Sequence, residues 1–193
     1  KLQQEYLENI NYDMSYHRLK KELKETFNLN KEEVLDRFIE QGIYRLLGNI
    51  QRPCFKNNNI AALINKYSPV YPWIVYLGLF DLSNLELTGE EKEIINSVPK
   101  TIPQTEFEAY KMFCGLPLES ILLYALSIDY DCAINYLDNL QQIKITITGE
   151  DLKGLGIPQG KIYKEIFDKI LEEKIKNPKI NELEFARSFY EHI

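Results

Sequence analysis

The chain has 193 residues, enough for one or two domains with cores of their own. With 45% hydrophobic and 27% charged residues it is too apolar for a disordered chain, and no run approaches the roughly 18–20 apolar residues of a membrane span. A formal net charge of −6 weighs against nucleic-acid binding by the molecule as a whole, because phosphate contacts dominate such affinity, and leaves that role only to a local basic patch.

The first residue is Lys1 and no signal-peptide pattern follows it, so the expectation is a domain excised from a longer protein. Cys54, Cys114 and Cys132 are scattered with no C-x-x-C pair, which argues against a disulfide framework and a zinc site. They point instead to a reducing, cytoplasmic compartment.

Helical periodicity runs nearly throughout. Ser15 is placed to cap a helix to about Thr26, with Leu19, Leu23 and Phe27 on one face. Asn30 is expected to cap a second helix carrying Val34, Leu35, Phe38 and Ile39, and Gly42 fits the position just past its end. Asn57, Asn58 and Asn59 form a loop, followed by a helix from Ile60 to Lys66 that the Ser68–Pro72 stretch ends. The spacing Thr88 to Glu91, repeated at Thr105 to Glu108, is that of a capping box. Pro99 and Pro103 bracket the loop between those helices, and Pro117 suits the first turn of a helix over Leu118–Leu126. Asp129 or Asp131 caps the next, which carries Ile134, Leu137 and Leu140. Residues 143–148 alternate strictly but are solitary, and are read as an extended connector. A short helix from about Glu150, a glycine-rich turn, a long helix over Lys161–Lys176 and a last one over Glu182–Tyr190 complete the chain. The expected fold class is all-α: an irregular, elongated multi-helix bundle ending in a helical hairpin. Three segments are expected, at residues 1–50, 51–142 and 143–193.

Few chemistries fit. His17 and His192 stand at opposite ends, with no HExxH, no paired HD and no Cys/His cluster, which argues against metal-dependent hydrolysis. The phosphate loop, the dinucleotide fingerprint and the G-x-S-x-G elbow are all missing. No catalytic residue and no metal ligand is assigned.

Two stretches carry more. From Thr148 to Ile166 the sequence reads short helix, tight turn, long helix, with Gly156 able to end the first and Gly160 opening the second. First-turn amides of a helix are unpaired and partly positive, and Lys161 and Lys164 add cations beside them, so this is either a phosphate site or a plain helical hairpin. In the stretch Ser15–Leu23, Arg18 and Glu22 stand at i, i+4 and are expected to pair. Lys20, Lys21 and Lys24 lie along one side of that helix, as a small basic strip or a solvated face. The 13 tyrosines offer stacking surfaces for bases, but most, such as Tyr163 beside Ile162, Ile166 and Phe167, fall at core-facing spacings.

Taken together and in this order, the two stretches resemble the bacterial class II tRNA nucleotidyltransferases and poly(A) polymerases. A helix of that family reads S-x-E-R-[IL]-x-x-E-[LF] between head and neck. Ser15, Arg18, Leu19, Glu22 and Leu23 match it, with His17 in place of Glu. Residues 38–43 are similar to the family's x-x-G-[IL] ending, and residues 116–123 to its L-P-L-E-x-L-L helix. The family's tail motif is matched by Gly149, Asp151, Leu152, Leu155, Gly156, Ile157, Gly160, Ile162 and Ile166, while Lys161 and Lys164 replace a frequent Pro and Gly.

The resemblance implies a neck, body and tail whose partner is tRNA, with Lys153, Gly156, Gly160, Lys161 and Lys164 as the RNA-binding residues. Ser15, Arg18 and Glu22 would then serve the head–neck junction. The family's catalytic motifs are not found here, so the resemblance implies a parent whose head domain, using Mg, ATP and CTP, adds CCA or A to tRNA, with no cofactor in this chain. The other reading is a helical protein-interaction or regulatory module with no RNA role.

Overall fold

Leu19, Leu23 and Phe27 recur at helical spacing, and the computed structural model, which describes residues 15–48, 53–55 and 59–192, buries all three on one face of the first helix. Among the described residues the order is α1 (Tyr16–Asn28), α2 (Glu32–Glu40), a 3-10 turn (Ile43–Leu47), α3 (Ile60–Tyr67), α4 (Pro72–Leu77), α5 (Gly89–Asn96) and α6 (Glu106–Phe113). There follow α7 (Leu118–Ser127), α8 (Tyr130–Asn135) running into a π-turn (Tyr136–Leu140), α9 (Gly149–Gly154), α10 (Lys161–Lys176) and α11 (Glu182–Glu191). The described residues contain no strand, and the fold is all-α. Lys1, Asn57 and Asn58 lie outside the described residues.

Most helix starts follow the local chemistry of the sequence. Ser15 accepts from the Arg18 amide, and Thr88 and Glu91 form a full reciprocal capping box. Thr105 accepts from the Glu108 amide, but Glu108 reaches one residue further back, to the Gln104 amide at 2.7 Å, so this box is only half formed. Asp129, rather than Asp131, accepts from the Cys132 amide and caps α8. Gly42 takes φ +69° after α2, as its place past a helix end requires.

One expected cap is corrected. Lys31, not Asn30, stands at the N-cap of α2, and no side chain bonds there. Asn30 instead adopts φ +48° and turns its amide toward α3 and α4. Its Nδ2 donates to Asn65 Oδ1 and its Oδ1 accepts from the Tyr76 hydroxyl, each at 2.7 Å. Asn tolerates the left-handed region better than most residues, and the tertiary bonds outweigh one local cap.

The described residues fall into two compact units that interleave along the chain. The first runs to Ile102 and also takes Gly115–Ala133; the second joins Pro103–Cys114 to the chain from Ile134 onward. In the first, α4 packs against α1, α3 and α7. Trp73, Ile74, Val75, Tyr76 and Leu77 of α4 are all buried, as are residues 119–126 of α7, which are apolar apart from Glu119 and Ser120, and helices so covered belong in a core. The second unit has its own cluster of Leu152, Ile157, Ile166, Ile170 and Ala186, with Ile145 and Ile147 of the connector packed on it. It brings together α6 and the π-turn, α10 and α6, α10 and α11, and α9 and α11.

The connector explains how an alternating segment stays extended without a partner strand. Ile143, Ile145 and Ile147 are half-buried while Lys144, Thr146 and Thr148 are exposed. The amides of Thr146 and Ile147, which a neighbouring strand would otherwise hold, donate to one carboxylate oxygen of Glu182 at 2.7 and 3.0 Å.

Candidate nucleic-acid interface

The hairpin of α9 and α10 is built on Leu152, Ile157 and Ile166, which bury its inner side. At the start of α9 the amide and the hydroxyl of Thr148 both donate to Asp151 Oδ2, at 2.7 and 2.8 Å, and these two bonds hold the Asp151 carboxyl below its ordinary range. Gly156 closes α9 in the left-handed region, φ +79°, where glycine is favoured. The Tyr163 hydroxyl donates to Ile157 O across the turn at 3.1 Å, so this tyrosine, set beside Phe167, braces the hairpin instead of offering a stacking face.

Gly160 opens α10 as its N-cap residue. Its φ of 167° is extended backbone open to any residue, and a Cβ built there meets nothing within 4 Å. A side chain would not strain this turn, and what Gly160 supplies is the lack of a capping side chain. Thr105, Thr148 with Asp151, and Asn181 satisfy the starts of α6, α9 and α11 in this unit, while no side chain caps α10. The Tyr163 amide turns back to Gly160 O at 3.1 Å. The amides of Lys161 and Ile162 make no bond among the described residues, at the partly positive end of a 16-residue helix.

The lysines at this end are also uncommitted. Lys153, in the last turn of α9, and Lys161 and Lys164, in the first turn of α10, are exposed and form no ion pair among the described residues. Elsewhere in the unit Lys111 pairs with Asp168 at 2.9 Å, Lys169 with Glu172 at 2.8 Å, and Lys176 with Glu172 and Glu173. Segment 143–193 holds nine basic and nine acidic residues, so the whole net charge of −6 falls on residues 1–142. The hairpin thus lies in a neutral segment of an acidic chain.

The other basic stretch is resolved differently. Lys20 and Lys24 both reach Glu91, at 2.5 and 3.1 Å, and Glu91 is 2% exposed. Burial pushes the Glu91 carboxyl up, but bonds from Lys20, the Thr88 amide and Lys24 outweigh it and hold the group below its ordinary range. Two of the three lysines are therefore internal ties of the first unit, and Lys21 pairs with Glu25 at 4.0 Å. Arg18 and Glu22 are both exposed and form no ion pair with each other, against the expected i, i+4 bridge. Ser15 acts as a helix cap.

Sequence spacing gave no hint of another buried carboxylate, Glu182. Glu182 accepts from Lys174 as well as from the two connector amides. Burial raises its carboxyl, and those bonds lower it by more. Its partners lie 8 and 35–36 residues away, beyond any local motif.

Among the described residues no three His, Cys, Asp or Glu side chains are grouped to hold a metal ion, and no step through Mg, ATP or CTP is assigned to them. The cysteines are free thiols, and no described helix is long and apolar enough to cross a membrane. Compared with known family models, curated proteins and solved structures, the chain shows no match.

Proposed function

We propose that this chain is the RNA-holding portion of a tRNA nucleotidyltransferase or poly(A) polymerase, gripping tRNA while a catalytic head of the same parent adds CCA or A with Mg, ATP and CTP. The single observation that carries the reading is the start of α10: a long helix that, among the described residues, has no side-chain cap, two unbonded amides, and Lys153, Lys161 and Lys164 unpaired beside it. Those groups suit a phosphate, which binds helix N-termini and mobile cations without regard to base identity. Double-stranded RNA hides its base edges in a deep, narrow groove, so a reader of backbone and shape is the appropriate device. The motif matches in the neck and tail support the same reading. Ser15, Arg18 and Glu22 are proposed to serve the junction with the head, and the compartment is proposed to be the cytoplasm.

The second reading, a helical protein-interaction module, is favoured by the acidic charge of residues 1–142. Fluorescent tRNA titrated with the chain at increasing salt separates the two. Saturable binding that falls steeply with salt supports the RNA role, and no saturable binding at low salt favours the module.

A further inference from the structure

A cleft of about 690 Å³ opens in the second unit, lined by Glu106 at the start of α6, Asn135, Asn139 and Leu140 around the π-turn, Gln142 to Lys144, and the end of α10. That volume lies within the roughly 300–1,000 Å³ of small-ligand sites. Its hydrogen bonds have a fixed direction. A carboxylate only accepts, so Asn135 gives its Nδ2 to Glu106 Oε1 at 3.0 Å. The Asn135 oxygen then takes the Asn139 Nδ2 at 2.8 Å, which leaves Asn139 Oδ1 without a partner among the described residues. Gln142 likewise gives its Nε2 to Asp138 O at 2.9 Å, which leaves Gln142 Oε1 without a partner among the described residues.

The second oxygen of Glu106 is also unbonded among the described residues. The α8 helix ends here through a π-turn closed by the Gln141 amide on Tyr136 O at 2.8 Å, and a helix C-terminus adds partial negative charge. Such turns recur at functional sites. Lys174 is taken up by Glu182 and by the carbonyl of Lys144.

From this set of acceptors we propose that the cleft binds a guanidinium group. Guanidinium is planar, carries five donors and accepts nothing, which matches one carboxylate and two amide oxygens. Ile143, Ile175 and Pro178 line the same cleft and suit its weakly hydrated faces. A phosphate would set acceptor against acceptor. Lys144 is exposed at the cleft, so a carrier with a carboxylate near the guanidinium gains a second contact. This site is separate from the α10 start and does not depend on the RNA reading.

The test is a nitrogen–proton NMR titration of the full chain, following the side-chain amides of Asn139 and Gln142. The probes are methylguanidine, Nα-acetyl-arginine, an acetyl-Gly-Arg-Gly-amide peptide and, as a control with an amine in place of the guanidine, Nα-acetyl-lysine. Saturable shifts with a Kd of about 1 mM for the arginine probes, at least about tenfold weaker for lysine, are expected. Asn139→Leu and Gln142→Leu should each weaken arginine binding by about tenfold while helicity by circular dichroism is unchanged; the second variant serves if the first fails to fold. Tighter binding of the peptide identifies a protein segment as the source, and tighter binding of Nα-acetyl-arginine a free small molecule. No saturable shift up to about 20 mM, equal binding of lysine, or folded variants that bind arginine as before, overturns the proposal.

Discussion

Gly156 and Gly160 flank one turn under different constraints. At Gly156, φ +79° penalises any side chain, so Gly156→Ala should lower stability by about 1–2 kcal/mol. At Gly160 the backbone is extended and the space open, so Gly160→Ala should change stability by no more than about 0.5 kcal/mol. Urea unfolding of the two variants checks both values, and equal losses would show the turn to be built otherwise. Two of the three carboxylates buried among the described residues, Glu91 and Glu182, set a pH dependence. Glu91 and Glu182 both titrate below the ordinary 4.5 in the folded chain. Their contribution is therefore present above the unfolded value and is lost as pH falls through the lower folded one. The urea midpoint should hold level from pH 7 to about pH 5 and drop as pH falls below about 4. Glu182→Gln leaves Lys174 without its anion and should cost of the order of 3 kcal/mol at pH 7, the low end for a broken buried pair because Lys174 is partly open to water. That variant should also lose less than the parent as pH falls from about 5 to about 3. An unchanged pH profile would show that Glu182 is not the titrating tie.

At the scale of elements, helix placement was legible where local chemistry decides it. The helical spacing of Leu19, Leu23 and Phe27, the box at Thr88 and Glu91, and the bounds of α10 all follow from residues within a turn of one another. What stayed hidden depends on contacts across the fold. Asn30 left its expected cap because Asn65 and Tyr76 bond it. Lys20 and Lys24 were drawn from the surface strip by a carboxylate about 70 residues away, which burial makes a strong attractor. The interleaving of the two units was hidden in the same way, since α6 joins α10 through contacts such as Lys111 with Asp168 that no window of sequence contains. Of the candidate site, the position of the turn and its lysines was readable, whereas the freedom of those lysines was not. Packing between elements gives a further prediction. A Cβ on Gly78, just past α4, would stand 2.7 Å from Leu123 Cδ1 in the buried α7. Gly78→Ala should cost about 1–3 kcal/mol by overpacking, read from the urea midpoint. A neutral result would mean that α4 and α7 pack less closely than described.

For the whole molecule the central tension lies between an acidic chain and the proposed RNA-holding role. It is eased because segment 143–193 carries balanced charge and leaves three lysines unpaired at the capless start of α10. Electrostatic binding through so few cations should be modest and steeply dependent on salt, unlike that of a uniformly basic protein. The most direct measurement is a salt titration of fluorescent tRNA binding by the chain, by Lys161→Ala and by Lys161→Ala with Lys164→Ala, with helicity checked for each. The lysines are exposed and unpaired, so the variants should fold as the parent does. Each substitution should weaken binding about equally for tRNAs of different acceptor sequence and lower the slope of log affinity against log salt by about one. Affinity and slope unchanged in the folded double variant would contradict the account and reduce the turn to a structural hairpin.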